Sequence, residues 1–200
     1  MTATFRRPCN PFATRHTRPG RLAPRDSAGD LLDLAVLAAR ARRLGVAALV
    51  GPHGSGKSNL LGALARRLAA DGLPVETIRI RVPSDGLHLL GLVRRAPRGA
   101  TLCVDGWECL GRVGAALVRW SAATRRVGLL VTCHRPFGVP TLARCETTPA
   151  LLTRLVADLP DHGGLVADAD IAAAFAARRG DVREALYDLY DRFERRARLD

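Results

Sequence analysis

The stretch Val46-Ala47-Ala48-Leu49-Val50-Gly51-Pro52-His53-Gly54-Ser55-Gly56-Lys57-Ser58 decides the fold class of this chain. It opens with an unbroken apolar run, which is typical of a buried parallel strand. The rest fits the pattern G-x-x-x-x-G-K-[ST] at every fixed position, which is the Walker A or P-loop motif. Leucines at helical spacing follow over 59–70, and Gly72 then supplies a stop signal. The order of strand, glycine-rich loop and helix predicts a loop that binds the phosphates of a nucleoside triphosphate.

The loop has a defined chemistry in this interpretation. Its backbone N–H groups point inward, and the following helix adds its positive end. Lys57 reaches the β- and γ-phosphates, and the Ser58 hydroxyl binds Mg²⁺. His53 occupies a variable position of the motif. The residues predicted to contact the nucleotide are Gly51, Pro52, His53, Gly54, Ser55, Gly56, Lys57, Ser58 and Asn59.

Lysine usage supports the same interpretation. The 31 basic residues of the chain comprise Lys57 and arginines alone. A lysine that grips phosphate is a compact charge on a flexible stem, and the planar guanidinium of arginine is not equivalent there. Lysine is therefore retained where arginine would fail chemically. The guanine-binding signature Asn-Lys-x-Asp needs a second lysine, so the composition favours ATP as the nucleotide.

Composition limits the class of protein. The 200 residues are 48% hydrophobic and 4% aromatic, which predicts an Ala/Leu/Val-rich globular chain with a real core. No apolar run approaches the roughly 18–20 residues of a membrane span, and no apolar segment follows the first methionine. The five cysteines show no metal-ligand spacing. We therefore expect a cytoplasmic protein that has no membrane contact and no structural metal.

The first 29 residues form a basic arm in this prediction. The net charge of the chain is +12, and residues 1–25 contain arginines but no acid before Asp26. Such an arm can bind the phosphate backbone of a nucleic acid. It can equally be a solvated tail, or resemble an arginine-rich transit peptide. These alternatives stay open at this point.

Beyond the arm, strands alternate with helices. Strands are predicted at 46–50, 75–82, 101–105, 127–132 and 144–147. Helices are predicted between them at 30–43, 59–70, 84–95 and 108–122. This alternation predicts an α/β fold, the three-layer αβα sandwich of a P-loop NTPase with a parallel sheet, over 30–148. Only helical patterns follow, so 149–200 is predicted to be a small helical lid of three helices.

Asp105 is the second chemical landmark, because it ends the apolar strand predicted at 101–105. An acid at this place after a P-loop is typical of the Walker B aspartate, which binds the Mg²⁺ shell beside Ser58. The alternative is an aspartate that begins the turn Asp105-Gly106. Because the carboxyl ends of strands in such sheets form the ligand crevice, the metal role is favoured.

From about residue 30 to 195 the layout resembles the AAA+ class of P-loop ATPases, especially its compact clamp-loader-like and replication-initiator-like members. The resemblance implies an Mg²⁺-dependent ATPase with a helical lid. The segment 127–132 is similar to the strand that carries the sensor-1 polar residue. This similarity implies that Thr132 lies near the γ-phosphate and the attacking water.

Two arginines gain roles from the same resemblance. Residues 180–186 are similar to the lid helix that carries the sensor-2 arginine, which implies this role for Arg183. Residues 143–145 resemble the clamp-loader segment that carries the arginine finger, which implies that role for Arg144. Such fingers act on a neighbour's nucleotide, so a finger implies a homo-oligomer or a larger partner protein. Arg144 can also be a plain surface charge, and Arg135 is a rival for its role.

One position departs from the AAA+ pattern. These ATPases usually place a glutamate directly after the Walker B aspartate, whereas this chain has Gly106 there. The nearest acid is Glu108, which either turns back toward the water site or merely favours the N-terminus of its helix. The catalytic candidates are Lys57, Asp105, Glu108, Thr132, Arg144 and Arg183.

Three functions agree with these residues. The first is an ATPase that couples ATP binding and hydrolysis to lid movement and to action on a nucleic-acid or protein partner. The second is a nucleotide-gated regulatory switch with slow or no hydrolysis, which the Gly106 departure favours. The third is a small-molecule kinase, for which the short segments 83–100 and 133–143 leave little room. We expect the first.

Overall fold

The computed structural model of the chain describes residues 9–18 and 20–199. It divides into two compact units. The first unit is Leu32–Glu146, and the second combines the described residues before Leu32 with those from Thr147 onward. No helix among the described residues is both long enough and apolar enough to cross a membrane.

The first unit is built on a sheet of five parallel strands. The strands are β1 (Val46–Val50), β2 (Val75–Arg79), β3 (Thr101–Asp105), β4 (Gly128–Cys133) and β5 (Thr141–Arg144). Their order across the sheet is β2-β3-β4-β1-β5, and every neighbouring pair is parallel. The carboxyl ends of all five strands therefore lie at one edge. The loop after β1, the acid that ends β3 and the segment after β4 meet at this edge.

Helices cover both faces of the sheet. The helices of this unit are α2 (Leu34–Leu44), α3 (Lys57–Ala70), α4 (Asp85–Arg95) and α5 (Gly111–Arg125), after α1 (Thr14–Thr17) in the other unit. Alternate residues of β1 point to opposite faces, as the pleat of a strand requires. Ala47 and Leu49 pack with buried residues of α2 and α3. Ala48 and Val50 pack with buried residues of α4 and α5. The predicted α/β class and its parallel sheet are confirmed.

Several predicted boundaries shift for local reasons. The helix predicted from residue 30 begins at Leu34, because the Asp33 carboxylate accepts hydrogen bonds from the next backbone N–H groups and caps it. β2 ends at Arg79 rather than at residue 82, and Ile80 N instead donates to Asp105 O at 2.8 Å. The last strand, predicted at 144–147, is wrong in its bounds. β5 is Thr141–Arg144, because this stretch pairs with β1.

The helical pattern predicted from residue 108 also divides. A short 3₁₀ turn occupies Trp107–Leu110, and α5 follows from Gly111. The turn begins at Gly106, whose φ of 90° lies in the left-handed region. Trp107 is completely buried under the sheet face that carries α4 and α5. The turn therefore anchors the segment that carries Glu108 before the long helix begins.

The second unit contains α6 (Pro149–Ala157), α7 (Asp168–Ala177) and α8 (Val182–Arg196), the three helices predicted after the sheet. Phe12 of the N-terminal segment is 1% exposed in its core, and its ring centroid lies 6.4 Å from that of Phe193. The Asn10 amide donates to Tyr190 O and to Glu194 Oε1. The described part of the predicted basic arm is thus folded against these helices.

A buried carboxylate joins two helices of this unit. Asp170 of α7 accepts hydrogen bonds from Arg192 and Arg196 of α8, and its Oδ2 also accepts from Ala167 N. The Arg196 guanidinium and these further bonds hold the pKa of Asp170 far below its usual value. The carboxylate therefore stays charged and fastens α7 to α8.

Candidate functional site

The loop after β1 has a backbone that only glycine allows at three positions. Gly54 and Gly56 have φ values of 67° and 83°, in the left-handed region that side chains disfavour. A Cβ on Gly51 would lie 2.3 Å from Cys145 O and 2.7 Å from Ser55 Oγ. The loop therefore turns tightly and leaves its backbone accessible at the sheet edge.

The helix after this loop begins without a side-chain cap. α2, α6 and α8 are capped by Asp33, Thr148 and Asp181, whereas α3 has no side-chain cap, like α4 and α5. The first N–H groups of a helix have no partner inside the helix, and the helix dipole makes this end positive. The start of α3 at Lys57 is consequently suited to an anion, and a phosphate group is the usual anion at such a loop.

Lys57 lies at the base of the loop and is 9% exposed. Its ammonium donates hydrogen bonds to Gly51 O at 2.7 Å and to Pro52 O at 2.6 Å. Burial lowers its pKa, and the charges of Glu108 and Asp105 work in the opposite direction. Two of its three N–H groups make these loop contacts, so a phosphate oxygen would complete the set.

Asp105 at the end of β3 contacts two of the other predicted site residues. Ser58 Oγ lies 3.0 Å from both of its carboxylate oxygens, and Thr132 Oγ1 donates to Oδ1 at 2.7 Å. Thr132 Oγ1 in turn accepts from Gly106 N at 3.0 Å. Burial raises the pKa of Asp105, but these hydrogen bonds and those from Arg79 outweigh burial and leave the pKa below its usual value. The structure thus brings Ser58, Asp105 and Thr132 together.

Arg79 is a site residue that the sequence did not indicate. Its Nε and Nη2 lie 3.0 Å and 2.8 Å from Asp105 Oδ2. The cause is the register of the sheet, in which Arg79 at the end of β2 is paired with Asp105 at the end of β3. The arginine that ends the alternating strand 75–79 was the available signal, but it acquires meaning only once β2 is known to lie beside β3.

The donor set at Asp105 fits Mg²⁺ bound together with a nucleotide. Ser58 and Asp105 offer the oxygen ligands that Mg²⁺ prefers, and this ion usually takes one or two protein groups together with phosphate oxygens and waters. The described residues contain no group of three or more His, Cys, Asp or Glu side chains that could enclose a metal ion. Arg79 contacts Oδ2 of Asp105, so this oxygen could bind the ion only after the guanidinium has moved away.

Glu108 is connected to the loop through two histidines. His134 Nδ1 lies 2.6 Å from Glu108 Oε1, and the His134 ring lies against that of His53 with 4.0 Å between centroids. Burial outweighs the attraction of Glu108 and holds the pKa of His134 below its usual value. Glu108 Oε2 is buried without a hydrogen-bond partner among the described residues. The His53 ring thus contacts the histidine that lies beside Glu108.

Gly106 explains why the acid stands at Glu108 and not directly after Asp105. A Cβ on Gly106 would lie 2.5 Å from Ile80 O, and its φ of 90° is unfavourable for any side chain. The close passage of β3 past the end of β2 therefore excludes a glutamate at this position.

The two arginines for which roles were predicted lie in different units of the chain. Arg144 is exposed at the carboxyl end of β5, paired in register with Val50, which directly precedes the loop. Arg183 is exposed in the first turn of α8, in the helical unit. Within Leu32–Glu146 the structure thus brings together the loop, Asp105, Glu108 and Thr132, and places Arg144 at the same edge of the sheet.

Comparisons of the chain with protein-family models and with curated proteins found no match. The function of the site is therefore inferred from its own chemistry.

Proposed function

We propose that the chain is an ATP-binding P-loop protein and an Mg²⁺-dependent ATPase of the AAA+-like type, with the αβα sandwich of P-loop NTPases. The observation that carries the proposal is the meeting of three predicted groups. The Asp105 carboxylate lies within 3.0 Å of the Ser58 and Thr132 hydroxyls. This cluster stands beside a glycine loop whose lysine is held by loop carbonyls. A chance P-loop match would not explain these contacts between separate strands.

Different residues of the site would bind different parts of the Mg²⁺-nucleotide complex. The backbone of the loop and the uncapped start of α3 would hold the phosphates. Lys57 would place its charge on the β- and γ-phosphates. When bound, Mg²⁺ would neutralise charge that develops on the phosphate oxygens, and Ser58 and Asp105 would hold it.

Hydrolysis needs a group that orients water, and Glu108 is the candidate. Water would attack the γ-phosphorus while the bond to the bridging oxygen breaks, and the Glu108 carboxylate would accept the proton from water. The 2.6 Å contact with His134 would set the direction in which the carboxylate points. Thr132 would hold Asp105 in place through its 2.7 Å hydrogen bond.

A second candidate is a nucleotide-gated switch with slow hydrolysis. Two observations favour it. The Arg79 guanidinium contacts the carboxylate that would hold the metal. The acid nearest to Asp105 is already engaged by His134. In this candidate both contacts persist when the nucleotide is bound and keep turnover slow, so binding without turnover is the result that it expects.

The partner and the compartment are proposals as well. Arg25 is paired with Asp158, but Arg15 and Arg21 are exposed and line a hollow of about 810 Å³ together with His16. This surface would attract an anionic partner such as a nucleic acid. Action on a nucleic-acid or protein partner in the cytoplasm is the setting that we propose.

The direct test measures ATP binding and steady-state Mg²⁺-ATP turnover of the full chain. We expect Lys57→Ala to weaken ATP binding at least tenfold, an effect of about 1.4 kcal/mol or more, while Arg67→Ala on the same helix leaves binding unchanged. Unchanged affinity in Lys57→Ala would overturn the proposal. Binding without turnover, with and without DNA at two salt concentrations, would select the switch.

A further inference from the structure

The amino-terminal edge of the sheet, at the end opposite to the loop after β1, carries a cluster of arginines. The strands β3, β4 and β1 are parallel neighbours in the sheet, so their first residues lie side by side. Arg98 lies three residues before β3, Arg126 two residues before β4, and Arg43 three residues before β1. Because neighbouring strands are about 4.8 Å apart, these three arginines share one short stretch of the edge.

Backbone hydrogen bonds join the three segments that lead into these strands. Gly99 N donates to Arg126 O at 2.9 Å, which links the segments before β3 and β4. Leu129 N donates to Gly45 O at 2.8 Å, which links β4 to the segment before β1. We name the arginines of these segments and of the adjoining helix ends the basic edge; they are Arg42, Arg43, Arg94, Arg98, Arg125 and Arg126.

The charge of the basic edge is not neutralised by acids. All six arginines are exposed, and none forms an ion pair with another residue that the structure describes. The Arg125 guanidinium donates instead to the backbone oxygen of Arg94 at 2.6 Å. The six arginines belong to the stretches 34–70, 86–104 and 109–145, which contain no acid. The basic edge therefore presents its positive charge to solvent.

The backbone of Arg126 points to a use for this charge. Cations are favoured at helix C-termini, which accounts for the arginines in the last turns of α2, α4 and α5. Arg126, however, ends α5 with a φ of 57°, in the left-handed region that side chains disfavour. α2 ends in the same region with a glycine, Gly45, whose φ is 68°. Because a glycine would end α5 with less strain, an arginine there indicates a function for its side chain.

We propose that the basic edge binds the phosphate backbone of a nucleic-acid duplex, without reading its base sequence. Guanidinium groups match phosphate oxygens, and contacts of this kind carry no sequence information. A protein interface is built around an apolar core, whereas Leu44, 40% exposed, is the one large apolar side chain exposed in the segments 42–45, 94–100 and 125–127. Single strands gain affinity by stacking bases on aromatic rings, and these segments contain no aromatic residue.

The inference gives the nucleic-acid partner of the proposed function a binding surface, and it rests on that function in this respect alone. The basic edge belongs to the unit Leu32–Glu146, whereas the hollow lined by Arg15 and Arg21 belongs to the helical unit. Binding of a duplex to the basic edge needs neither ATP nor Mg²⁺, so the test omits both. A failure to bind ATP therefore leaves this inference intact, and a failure to bind DNA here leaves ATP binding intact.

The test adds the full chain to a short dye-labelled DNA duplex and follows fluorescence anisotropy at several salt concentrations. The logarithm of the affinity should fall linearly with the logarithm of salt concentration, with a slope of about 0.9 for each phosphate neutralised. Arg43→Ala and Arg98→Ala should each weaken binding roughly two- to fivefold and reduce this slope by about 1. Arg112→Ala is the matched control, because it removes the same charge from an exposed position at the other end of α5. We expect the control to keep the affinity and the slope of the unchanged chain.

Arg126→Gly separates loss of a phosphate contact from loss of the fold. It should weaken binding of the duplex and reduce the salt slope by about 1, like the other variants of the basic edge. It should also raise the midpoint of thermal unfolding, because glycine takes the left-handed backbone of this position without strain. A residue with a merely structural role would not combine weaker binding with a more stable fold.

Several results would overturn the proposal. They are no binding of the duplex, an affinity that does not depend on salt, a loss in Arg112→Ala equal to that in Arg98→Ala, and Arg126→Gly with unchanged binding or a less stable fold. Tighter binding of polyglutamate than of the duplex at the same salt concentration would replace the nucleic acid by an acidic protein. Tighter binding of an oligothymidylate would replace the duplex by a single strand.

Discussion

Replacing Arg79 by alanine tests whether this arginine controls Asp105, the carboxylate that we propose to bind Mg²⁺. In the structure the guanidinium lies 2.8 Å from Asp105 Oδ2, so Mg²⁺ and Arg79 would compete for one oxygen. The Arg79 side chain is 56% exposed and that of Asp105 16% exposed, so solvent screens the pair strongly. Pairs of this kind are worth at most about 1 kcal/mol. Because 1.4 kcal/mol corresponds to a tenfold change, we expect Arg79→Ala to raise the apparent Mg²⁺ affinity by up to about fivefold.

The assay is a Mg²⁺ titration at saturating ATP, read as turnover or as binding of a fluorescent ATP analogue. Arg81→Ala is the matched control, because it removes the same charge two residues away. The Mg²⁺ midpoint should move to lower concentration in Arg79→Ala and stay in place in Arg81→Ala. A midpoint that moves to higher concentration in Arg79→Ala would refute the competition, because Arg79 would then be helping to hold the metal or the phosphates. Equal shifts of the Mg²⁺ midpoint in both variants would show that the loss of a positive charge causes the effect, and not the loss of the contact with Asp105.

Three further predictions concern the acid, its turn and the helical unit. His134→Ala should lower the rate of ATP hydrolysis about tenfold with little change in ATP affinity, because its contact with Glu108 is lost. His134→Asn should restore part of the rate, since its amide can still contact the carboxylate, and equal rates in both variants would contradict this. Gly106→Ala should destabilise the first unit by roughly 1–3 kcal/mol, because its Cβ would meet Ile80 O. An unchanged midpoint of urea unfolding would contradict this and show that the backbone moves to make room for the methyl group. Asp170→Asn should lower stability by about 1–3 kcal/mol through the loss of its charged hydrogen bonds. Because the pKa of Asp170 is lower in the folded chain than in the unfolded one, its contribution to the free energy of unfolding is present above the unfolded pKa of about 3.9 and is lost as pH falls below it. The free energy of unfolding should therefore fall less steeply with decreasing pH in the variant.

The sequence by itself determined the features that depend on neighbouring residues. The strand, loop and helix around Lys57 follow from a short apolar run, the spaced glycines of the motif and leucines at helical spacing. The alternation of strands and helices then implied a parallel sheet with both faces covered. Asp105 was found for the same reason, since an acid at the end of an apolar strand is visible in the chain itself.

The tertiary structure decided the contacts between strands that are distant in the chain. Arg79 meets Asp105 because β2 lies beside β3 in register, and no local pattern states which strands are neighbours. Glu108 gains a histidine partner because the 3₁₀ turn after β3 faces the segment after β4. The bounds of β5 likewise depend on pairing with β1. Local periodicity specifies an element, whereas the side chains that share a site are chosen by sheet order and register, which are settled only when the whole core packs.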